Sequence, residues 1–299
     1  MSSAPDEVQE LARARAQARA AKDFTAADQA RDRIAGLGWV VVDEPGGAWR
    51  LEPAAARSRI DASDVGSVLD EPQTFDLTLQ WIVEGWPQDI DRSMSSFRLA
   101  LGGLSAQFVV TDVTGEDPER WGEDAEVLWL KEGTGWAAAR NAGIRRSRGG
   151  VIVILDGSIE ASGEVVGPLQ RALADPSVGV CGPFGIVTGD LQRFDEAPAD
   201  GDVDAIEGYL MAVRRDTLNQ VGLFDEKFKW YRTADIELSF RIKDAGLRAV
   251  QIPVPVIKHQ HRMWFETDPA VRAKWSKRNY YRFLEKFRGR YDLCVDPQR

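Results

Sequence analysis

The chain of 299 residues is 43% hydrophobic and 28% charged, which is ordinary for a folded globular protein with one large and one small domain. Its net charge of −9 argues against a general nucleic-acid binder. No apolar run approaches the roughly 18 residues of a membrane-spanning helix, which argues against an integral membrane protein of that type.

The chain begins with a segment that predicts a small helical module over residues 1–55. Residues 6–22 are rich in Ala and Arg, which favour helix, and residues 23–38 predict a second helix closed by glycine. Two β-type runs then flank a Pro-Gly-Gly turn, a pattern typical of a β-hairpin. Residues 56–72 show no hydrophobic period, and we interpret them as a linker.

The pattern of residues 73–299 predicts a single α/β domain. Apolar runs alternate with helical stretches, which implies a sheet that helices cover on both faces. In such sheets ligands bind beyond the carboxyl ends of the strands. Asp112 and Asp156 each follow an apolar run, in VVTDV and VILDG, so we expect both carboxylates to face one crevice.

Two blocks of this domain resemble family 2 glycosyltransferases, which have the GT-A fold. Residues 133–160, GTGWAAARNAGIRRSRGGVIVILDGSIE, contain the Ala-rich helix with Arg-Asn-x-Gly, then a strand that ends in Asp. Residues 208–253 are similar to the family's acceptor-side block, with Arg-Arg-x-x-Leu, Val-Gly-x-Phe-Asp-Glu and an acidic Asp-x-Glu-Leu. The resemblance covers about residues 75–285 and implies a GT-A-type mixed sheet flanked by helices.

The resemblance implies a glycosyltransferase that moves a sugar from a nucleotide-diphosphate donor to an unknown hydroxyl acceptor, with inversion. Asp235 matches the family's general base, which must reach the proton of the acceptor hydroxyl. Asp156 and Arg140 would bind the nucleotide sugar. Asp156 and His259 would hold Mg²⁺ or Mn²⁺ at the diphosphate.

The resemblance also implies a contact with the nucleobase in TDVTGED, residues 111–117. Asp112 matches the first acid of the family's segment, and Asp117 matches its last. A carboxylate at such a place can accept a hydrogen bond from the imino group of uracil or guanine.

Two positions depart from the family's motifs. Ser158 stands where the second carboxylate of Asp-x-Asp ligates the metal, and Ala234 stands where the family usually has Glu. Glu160 would restore the missing charge only if the turn after Gly157 redirects it. The departures leave a second interpretation open, in which a catalytically degraded relative binds a nucleotide or glycan and acts as an interaction protein.

Each candidate side chain also has an interpretation that involves no ligand. Asp156 and Asp112 fit acids that cap turns. Asp235 fits a capping acid of a helix in which Glu237 and Arg241 form an i,i+4 ion pair. The two histidines fit an exposed pair, although His-x-His on a strand would place both rings on one face.

A second resemblance covers residues 8–52. The stretches KDFTAADQARD and VDEPGGAWR are similar to the C-terminal helical region of bacterial cysteinyl-tRNA synthetases, but no synthetase catalytic segment is present. Residues 1–60 contain nine basic and nine acidic side chains, whereas a tRNA-binding module neutralises phosphates with a basic face. We therefore favour an oligomer or partner contact through this module over nucleic-acid binding.

The C-terminal stretch VRAKWSKRNYYRFLEKFRGR, residues 271–290, predicts a basic helix with interspersed aromatic rings. Such a helix indicates either contact with an anionic membrane surface or packing on the core. Cys181 and Cys294 lack a metal-type spacing, and we interpret them as free thiols in a reducing compartment. The first ten residues lack the apolar core of a signal peptide. We therefore expect a cytoplasmic protein, either free or peripheral at the inner face of the membrane.

Overall fold

The computed structural model describes residues 4–43, 48–53, 59–115, 118–122 and 124–297. The chain divides into two compact units, Met1–Arg59 and Ile60–Arg299, and each has a hydrophobic core of its own.

The first unit consists of two helices and a β-hairpin. Its elements are α1 (Asp6–Ala20), α2 (Phe24–Gly36), β1 (Trp39–Asp43) and β2 (Trp49–Pro53). The carboxylate of Asp23 caps α2 by accepting a hydrogen bond from the backbone N–H of Ala26. β1 and β2 pair antiparallel, and Val8, Ala12 and Ile34 form a small buried core. The predicted Pro-Gly-Gly turn lies outside the described residues.

The second unit is an α/β domain, as the alternation of apolar and helical stretches predicts. Its strands are β3 (Phe75–Val83), β4 (Ala106–Asp112), β5 (Ala125–Trp129), β6 (Gly149–Leu155), β7 (Ile159–Ala161), β8 (Val178–Gly182), β9 (Gly185–Val187), β10 (Asp195–Glu196), β11 (Gly201–Val203), β12 (Ala205–Ile206), β13 (Leu210–Arg214), β14 (Arg248–Gln251) and β15 (Val256–Lys258). Its helices are α3 (Pro87–Leu99), α4 (Trp136–Arg145), α5 (Val166–Leu173), α6 (Arg215–Val221), α7 (Ala234–Asp244), α8 (Arg262–Glu266) and α9 (Pro269–Phe287).

Eight of these strands form a mixed sheet in the order β11, β14, β8, β13, β6, β3, β4, β5. β6, β3, β4 and β5 run parallel, whereas β13 runs antiparallel between β6 and β8. The carboxyl ends of β3, β4 and β6 therefore lie at the same edge as the start of β13. This edge carries Glu84, Asp112, Asp156 and Glu207, and it is the edge where open α/β sheets bind ligands.

Apolar side chains cover both faces of the sheet, because successive residues of a strand point to opposite faces. In β6, Ile152 and Ile154 belong to a buried cluster that includes side chains of α4, α6 and α7. Val153 and Leu155 belong to a second cluster that includes side chains of α3 and α5. The predicted fold class, a mixed sheet flanked by helices, is confirmed.

The structure corrects the second half of the linker predicted over residues 56–72. Val65 and Leu69 are buried in the core of the second unit, and Arg215 donates a hydrogen bond of 2.8 Å to the carbonyl of Leu69. Residues 64–72 contact the core through individual buried side chains and backbone carbonyls, and they form no long helix or strand. The segment therefore shows no hydrophobic period. Residues 54–58 lie outside the described residues.

Helix α9 packs on the domain core. The rings of Phe283 and Phe287 are buried and lie 5.0 and 5.4 Å from the ring of Phe240 in α7. This geometry matches the core-packing alternative, and membrane contact stays a prediction. Cys181 and Cys294 are free and buried. In the described part of the chain, no helix combines the length and the apolar character needed to cross a bilayer.

Candidate functional site

A cavity of about 760 Å³ opens at the edge of the sheet where β6 ends and β13 begins. Arg140, Asp156, Asp235 and His261 contribute to its wall. The sequence predicts the first three of these as site residues although they come from separate elements, and the fold brings them to one cavity.

Asp156 follows the last residue of β6, and its carboxylate is held from two sides. Its Oδ1 accepts a hydrogen bond of 2.8 Å from the backbone N–H of Ser158, and its Oδ2 lies 3.3 Å from Nε2 of His261. Burial opposes ionisation of this carboxyl group, but the hydrogen bond and charge of His261 and the hydrogen bonding of Ser158 outweigh it. The pKa of Asp156 is consequently lowered to about 2.

The structure places His261, and not His259, beside Asp156. Nε2 of His259 lies 2.6 Å from Oε2 of Glu160, in line with the antiparallel pairing of β15 with β7. The expectation that both rings share one face fails because β15 ends at Lys258, so the alternation of a strand does not extend to the histidines.

His261 is enclosed by aromatic rings. Its ring meets those of Tyr231 and Tyr209 edge-on, with centroids 4.6 and 5.3 Å apart. Burial opposes the charged form of the imidazole, but the hydrogen bond and charge of Asp156 outweigh it, so the pKa of His261 is raised. The ring is thereby fixed at the floor of the cavity in contact with the carboxylate.

Ser158 is turned away from solvent. The residue is 3% exposed, and its Oγ has no hydrogen-bond partner among the residues that the structure describes. Glu160 does not take over the position, because its carboxylate is engaged by His259 and lies 3.8 Å from Nε of Arg92. The turn after β6 therefore presents a single carboxylate, Asp156, to the cavity.

Arg140 of α4 ties together the strand ends that carry the site. It is buried, and its guanidinium donates hydrogen bonds of 3.0 and 2.8 Å to the carbonyls of Gln80 in β3 and Leu155 in β6. Burial lowers its pKa to about 10, against the opposing charges of Glu84 and Asp156. Arg140 lies in the cavity wall, and its binding of a nucleotide sugar stays a prediction. Its hydrogen bonds to the two strands give it a positioning role.

The arrangement of α4 explains the rest of its Arg-Asn-x-Gly motif. Asn141 donates to the carbonyl of Phe224 at 2.8 Å and accepts from its N–H at 2.9 Å, which fixes the Val-Gly-x-Phe-Asp-Glu segment. Gly143 allows the helix to approach β3, since a Cβ there would lie 2.1 Å from Nε2 of Gln80.

Asp112 lies in a turn of its own. The residue is 1% exposed, and its Oδ1 accepts hydrogen bonds of 2.7 and 3.0 Å from the backbone N–H groups of Thr114 and Gly115. This geometry matches the turn-capping alternative, and the proposed nucleobase contact stays a prediction. Asp117 lies outside the described residues.

Asp235 lies in the first turn of α7 and faces the cavity. Its Oδ2 accepts a hydrogen bond of 2.8 Å from the backbone N–H of Gly208, and its Oδ1 accepts one of 2.9 Å from Ile236. Burial raises the pKa of Asp235 despite these hydrogen bonds. The preceding Thr233 has a φ of +73°, a left-handed conformation that directs the chain into the helix. Ala234, at the departure from the family motif, is buried.

Two further carboxyl groups at this edge escaped the sequence analysis. Burial raises the pKa of Glu84 to about 7, with Arg140 opposing and Asp156 assisting. Burial likewise raises the pKa of Glu207 to about 7, although Lys258 lies 3.7 Å away. Glu84 follows β3 as Asp156 follows β6, so the strand-end signal was available for it. Glu207 precedes β13, whose antiparallel direction the sequence does not reveal.

Comparison with protein families finds two matches. Residues 111–240 match the model of glycosyl transferase family 2, and residues 1–50 match that of the cysteinyl-tRNA ligase anticodon binding domain. Both resemblances seen in the sequence are confirmed. A comparison with curated proteins finds no match.

Among solved structures, the chain is similar to the crystal structure of GalNAc-T7 with UDP, GalNAc and Mn²⁺, at a TM-score of 0.55 and 17% identity. The similarity covers 73% of this chain and 49% of that one, so this chain spans about half the length of the neighbour. The mannosyltransferase PcManGT from Pyrobaculum calidifontis, in complex with GDP-Man and Mn²⁺, matches at a TM-score of 0.49 and 18% identity, over 75% of this chain and 77% of that one. The first similarity shows the GT-A fold that the sequence predicts.

Proposed function

We propose that this chain is a glycosyltransferase that moves a sugar from a nucleotide-diphosphate donor to a hydroxyl acceptor with inversion. The observation that carries the proposal is that Asp156 and Asp235 face one cavity of about 760 Å³. Asp156 lies at the edge where open α/β sheets bind nucleotides, and Asp235 lies on a different element of the same wall. The match of residues 111–240 to a glycosyl transferase family supports the proposal.

In the proposed reaction, the acceptor oxygen attacks the anomeric carbon of the donor while its proton passes to the carboxylate of Asp235. The bond between that carbon and the diphosphate oxygen breaks, and the nucleoside diphosphate leaves. Burial raises the pKa of Asp235, which makes this carboxylate a stronger proton acceptor than an exposed aspartate. Arg140 contributes by holding the ends of β3 and β6, and so the position of Asp156.

The side chains around Asp156 do not fit the Mg²⁺ or Mn²⁺ that the resemblance implies. Such ions take several oxygen ligands, with carboxylates foremost. Here one carboxylate is already in contact with His261, and Ser158 offers only a neutral, buried hydroxyl. Among the described residues, no group of three or more His, Cys, Asp or Glu side chains is arranged to hold a metal. We therefore assign no step of the proposed reaction to a metal ion.

Donor hydrolysis tests the assignment of Asp235, because water can replace the unknown acceptor. We expect Asp235→Asn to reduce release of UDP or GDP from their sugar esters at least about 100-fold, since general base catalysis contributes that much. Binding of the nucleoside diphosphates should persist. Asp244→Asn at the far end of α7 serves as the matched control. Unchanged hydrolysis in Asp235→Asn, with a normal melting temperature, would contradict the role of Asp235.

A second candidate function is a binding protein that has lost catalysis. Ser158 and the buried Ala234 favour it, because each replaces a carboxylate that the family uses. Nucleotide binding without any donor hydrolysis by the wild-type protein, under conditions that cover both UDP- and GDP-linked sugars, would support this alternative.

A further inference from the structure

Two cations in the wall of the cavity are not in direct contact with a carboxylate of the described residues, although the charge of Arg232 acts on Asp235 and Glu207. Arg232, in the loop before α7, and Lys277, on α9, both contribute to the wall that holds Asp156 and His261. Within the described parts of the chain, neither side chain forms an ion pair or donates a hydrogen bond. The guanidinium of Arg232 lies 4.8 Å from the ring centroid of Trp264, which leaves its N–H groups available at the edge.

Two other cations of α9 have carboxylate partners within the fold. On α9, Arg282 donates to Asp225 at 2.8 Å, and Lys286 lies 2.7 Å from both Asp225 and Glu237. These two cations of α9 are therefore engaged in ion pairs within the fold. Arg232 and Lys277 form no such ion pair within the described residues, and both line the cavity that holds Asp156 and Asp235.

The loop that carries Arg232 is held in place. The amide of Asn279, a buried residue of α9, donates hydrogen bonds of 2.9 and 2.7 Å to the carbonyls of Trp230 and Arg232. Asn279 follows Lys277 by two positions, so one helix both fixes the loop and supplies the second cation. A fixed geometry reduces the entropy lost when the two side chains bind a charged ligand.

We propose that Arg232 and Lys277 bind the diphosphate of the donor and take the place that a divalent cation has in other enzymes of this fold. This inference rests on the proposed function. A sugar nucleotide carries two negative charges on its diphosphate, and Asp156, Asp235 and Glu207 in the same wall would repel them. Ser158 provides no metal carboxylate, so the compensating charge comes from the protein. Arginine suits this purpose because its planar fork matches phosphate oxygens.

Calorimetric titration of the full chain with UDP, GDP, ADP and dTDP tests the inference, once in EDTA and once in Mn²⁺. For the nucleoside diphosphate that binds most tightly, we expect the dissociation constant measured in EDTA and the one measured in Mn²⁺ to agree within about threefold. Arg232→Gln and Lys277→Gln should each weaken its binding about tenfold or more, as loss of a charge-assisted hydrogen bond does. Binding of the corresponding nucleoside should not change, because it has no diphosphate. Arg232→Lys should recover part of the affinity.

Lys274→Gln is the matched control, since Lys274 is an exposed lysine of α9 that is not part of the cavity wall. Melting temperatures should stay close to the wild-type value in all variants, because these side chains are exposed. Binding that EDTA abolishes, or wild-type affinity in both Gln variants, would overturn the inference and leave the proposed function standing. Failure of every nucleoside diphosphate to bind in either buffer would overturn both.

Discussion

At the scale of single residues, the edge of the sheet brings together carboxyl groups of very different acid strength. The pKa of Asp156 is lowered to about 2, whereas those of Glu84 and Glu207 are raised to about 7. All three lose hydration, but Asp156 alone gains a histidine and a backbone N–H in contact with its oxygens. Near neutral pH, Asp156 is therefore ionised while the two glutamates titrate.

The raised pKa of Glu84 makes a prediction about stability. A folded-state pKa of about 7 exceeds the ordinary value of 4.5, so the folded protein holds a proton that the unfolded chain releases. Glu84 thus stabilises the fold fully below about pH 4.5, and this contribution is lost as pH rises through about 7. Glutamine does not titrate, so we expect the free energy of unfolding of Glu84→Gln not to show this decrease with pH. The variant should be more stable than wild type at pH 8 by about 1–3 kcal/mol.

Urea unfolding at pH 5, 6, 7 and 8 measures this difference. The matched change Glu285→Gln, at an exposed glutamate of α9, should leave the pH dependence as it is in wild type. A constant difference between wild type and Glu84→Gln across these pH values would show that Glu84 keeps an ordinary pKa in the fold.

A second prediction at this scale concerns the serine after β6. Ser158→Asp places a carboxylate in a buried position two residues from Asp156, so like charges repel and the melting temperature should fall by several degrees. Mn²⁺ together with a nucleoside diphosphate should recover much of that loss, by linkage of metal binding to folding. Ser158→Asn has the same shape without the charge, and its melting temperature should not respond to Mn²⁺.

Thermal shifts of wild type and the two variants, in UDP and in GDP with and without Mn²⁺, make the comparison. Equal Mn²⁺ responses in all three proteins would show that the turn after β6 does not face the diphosphate. A strong response in wild type would point to a metal site that Ser158 does not disable.

The sequence singles out candidate site residues where they lie at strand or helix ends with a motif around them, and their roles stay predictions. Asp156 and Asp235 are of this kind, and both line the cavity. Sequence spacing could not separate His259 from His261, because the choice depends on where β15 stops and on a partner about a hundred residues earlier. Nor could it show that the carboxylate of Asp112 accepts hydrogen bonds from the N–H groups of Thr114 and Gly115, because the geometry of the turn determines these contacts.

At the scale of elements, two asparagines connect the helices to the loops of the site. Asn141 of α4 holds Phe224, and Asn279 of α9 holds the carbonyls of Trp230 and Arg232. The chain between these anchors leads directly into Asp235. The position of the proposed base therefore depends on α9, an element about forty residues further along the chain.

This dependence predicts the effect of Asn279→Ala. One buried and one partly buried carbonyl lose their donor, which should lower the free energy of unfolding by about 2 kcal/mol. Donor hydrolysis should fall more than nucleoside binding, because the loop with Arg232 and Asp235 loosens. Asn219→Ala, at an exposed position near the end of α6, is the control. Urea unfolding measures the free energy of unfolding, and nucleotide release measures donor hydrolysis. Unchanged hydrolysis in Asn279→Ala would show that the position of Asp235 does not depend on α9.

The order of helices and strands could be predicted from alternating patterns, but strand partners could not. The antiparallel insertion of β13 between β6 and β8 joins segments far apart in sequence, and nothing in Leu210–Arg214 states its direction. The short strands β9, β10 and β12 form a separate three-stranded sheet that has too few residues for a periodic signal. Both features shape the cavity wall, so its outline was not accessible from sequence.

At the scale of the whole molecule, the chain consists of two units whose boundary differs from the predicted one. The first unit ends at Arg59, and Ile60 already belongs to the second. The N–H of Ile60 donates to the carbonyl of Trp129, and the N–H of Lys131 donates to the carbonyl of Ile60, so this residue extends the edge of the sheet. The role of the first unit as an oligomer or partner contact stays a prediction.

The boundary makes a prediction about two truncated chains. Residues 60–299 retain every buried residue of the second unit and should fold with a cooperative transition of their own. Residues 73–299 lack Val65, Val68 and Leu69, which are buried. They also lack the carbonyls that Arg215 uses, so a buried guanidinium would lose its hydrogen bonds. We expect the shorter chain to be less stable by several kcal/mol, or unfolded.

Circular dichroism and urea unfolding of both truncated chains, beside the full-length protein, give the comparison. Arg215→Met in the 73–299 chain should recover part of the loss, because it removes the unsatisfied charge while keeping an apolar side chain of similar length. The same substitution in the 60–299 chain should destabilise, since there the guanidinium has its carbonyl partners. Equal stability of the two truncated chains would mean that residues 60–72 are a linker after all, and that the core of the α/β domain begins at β3.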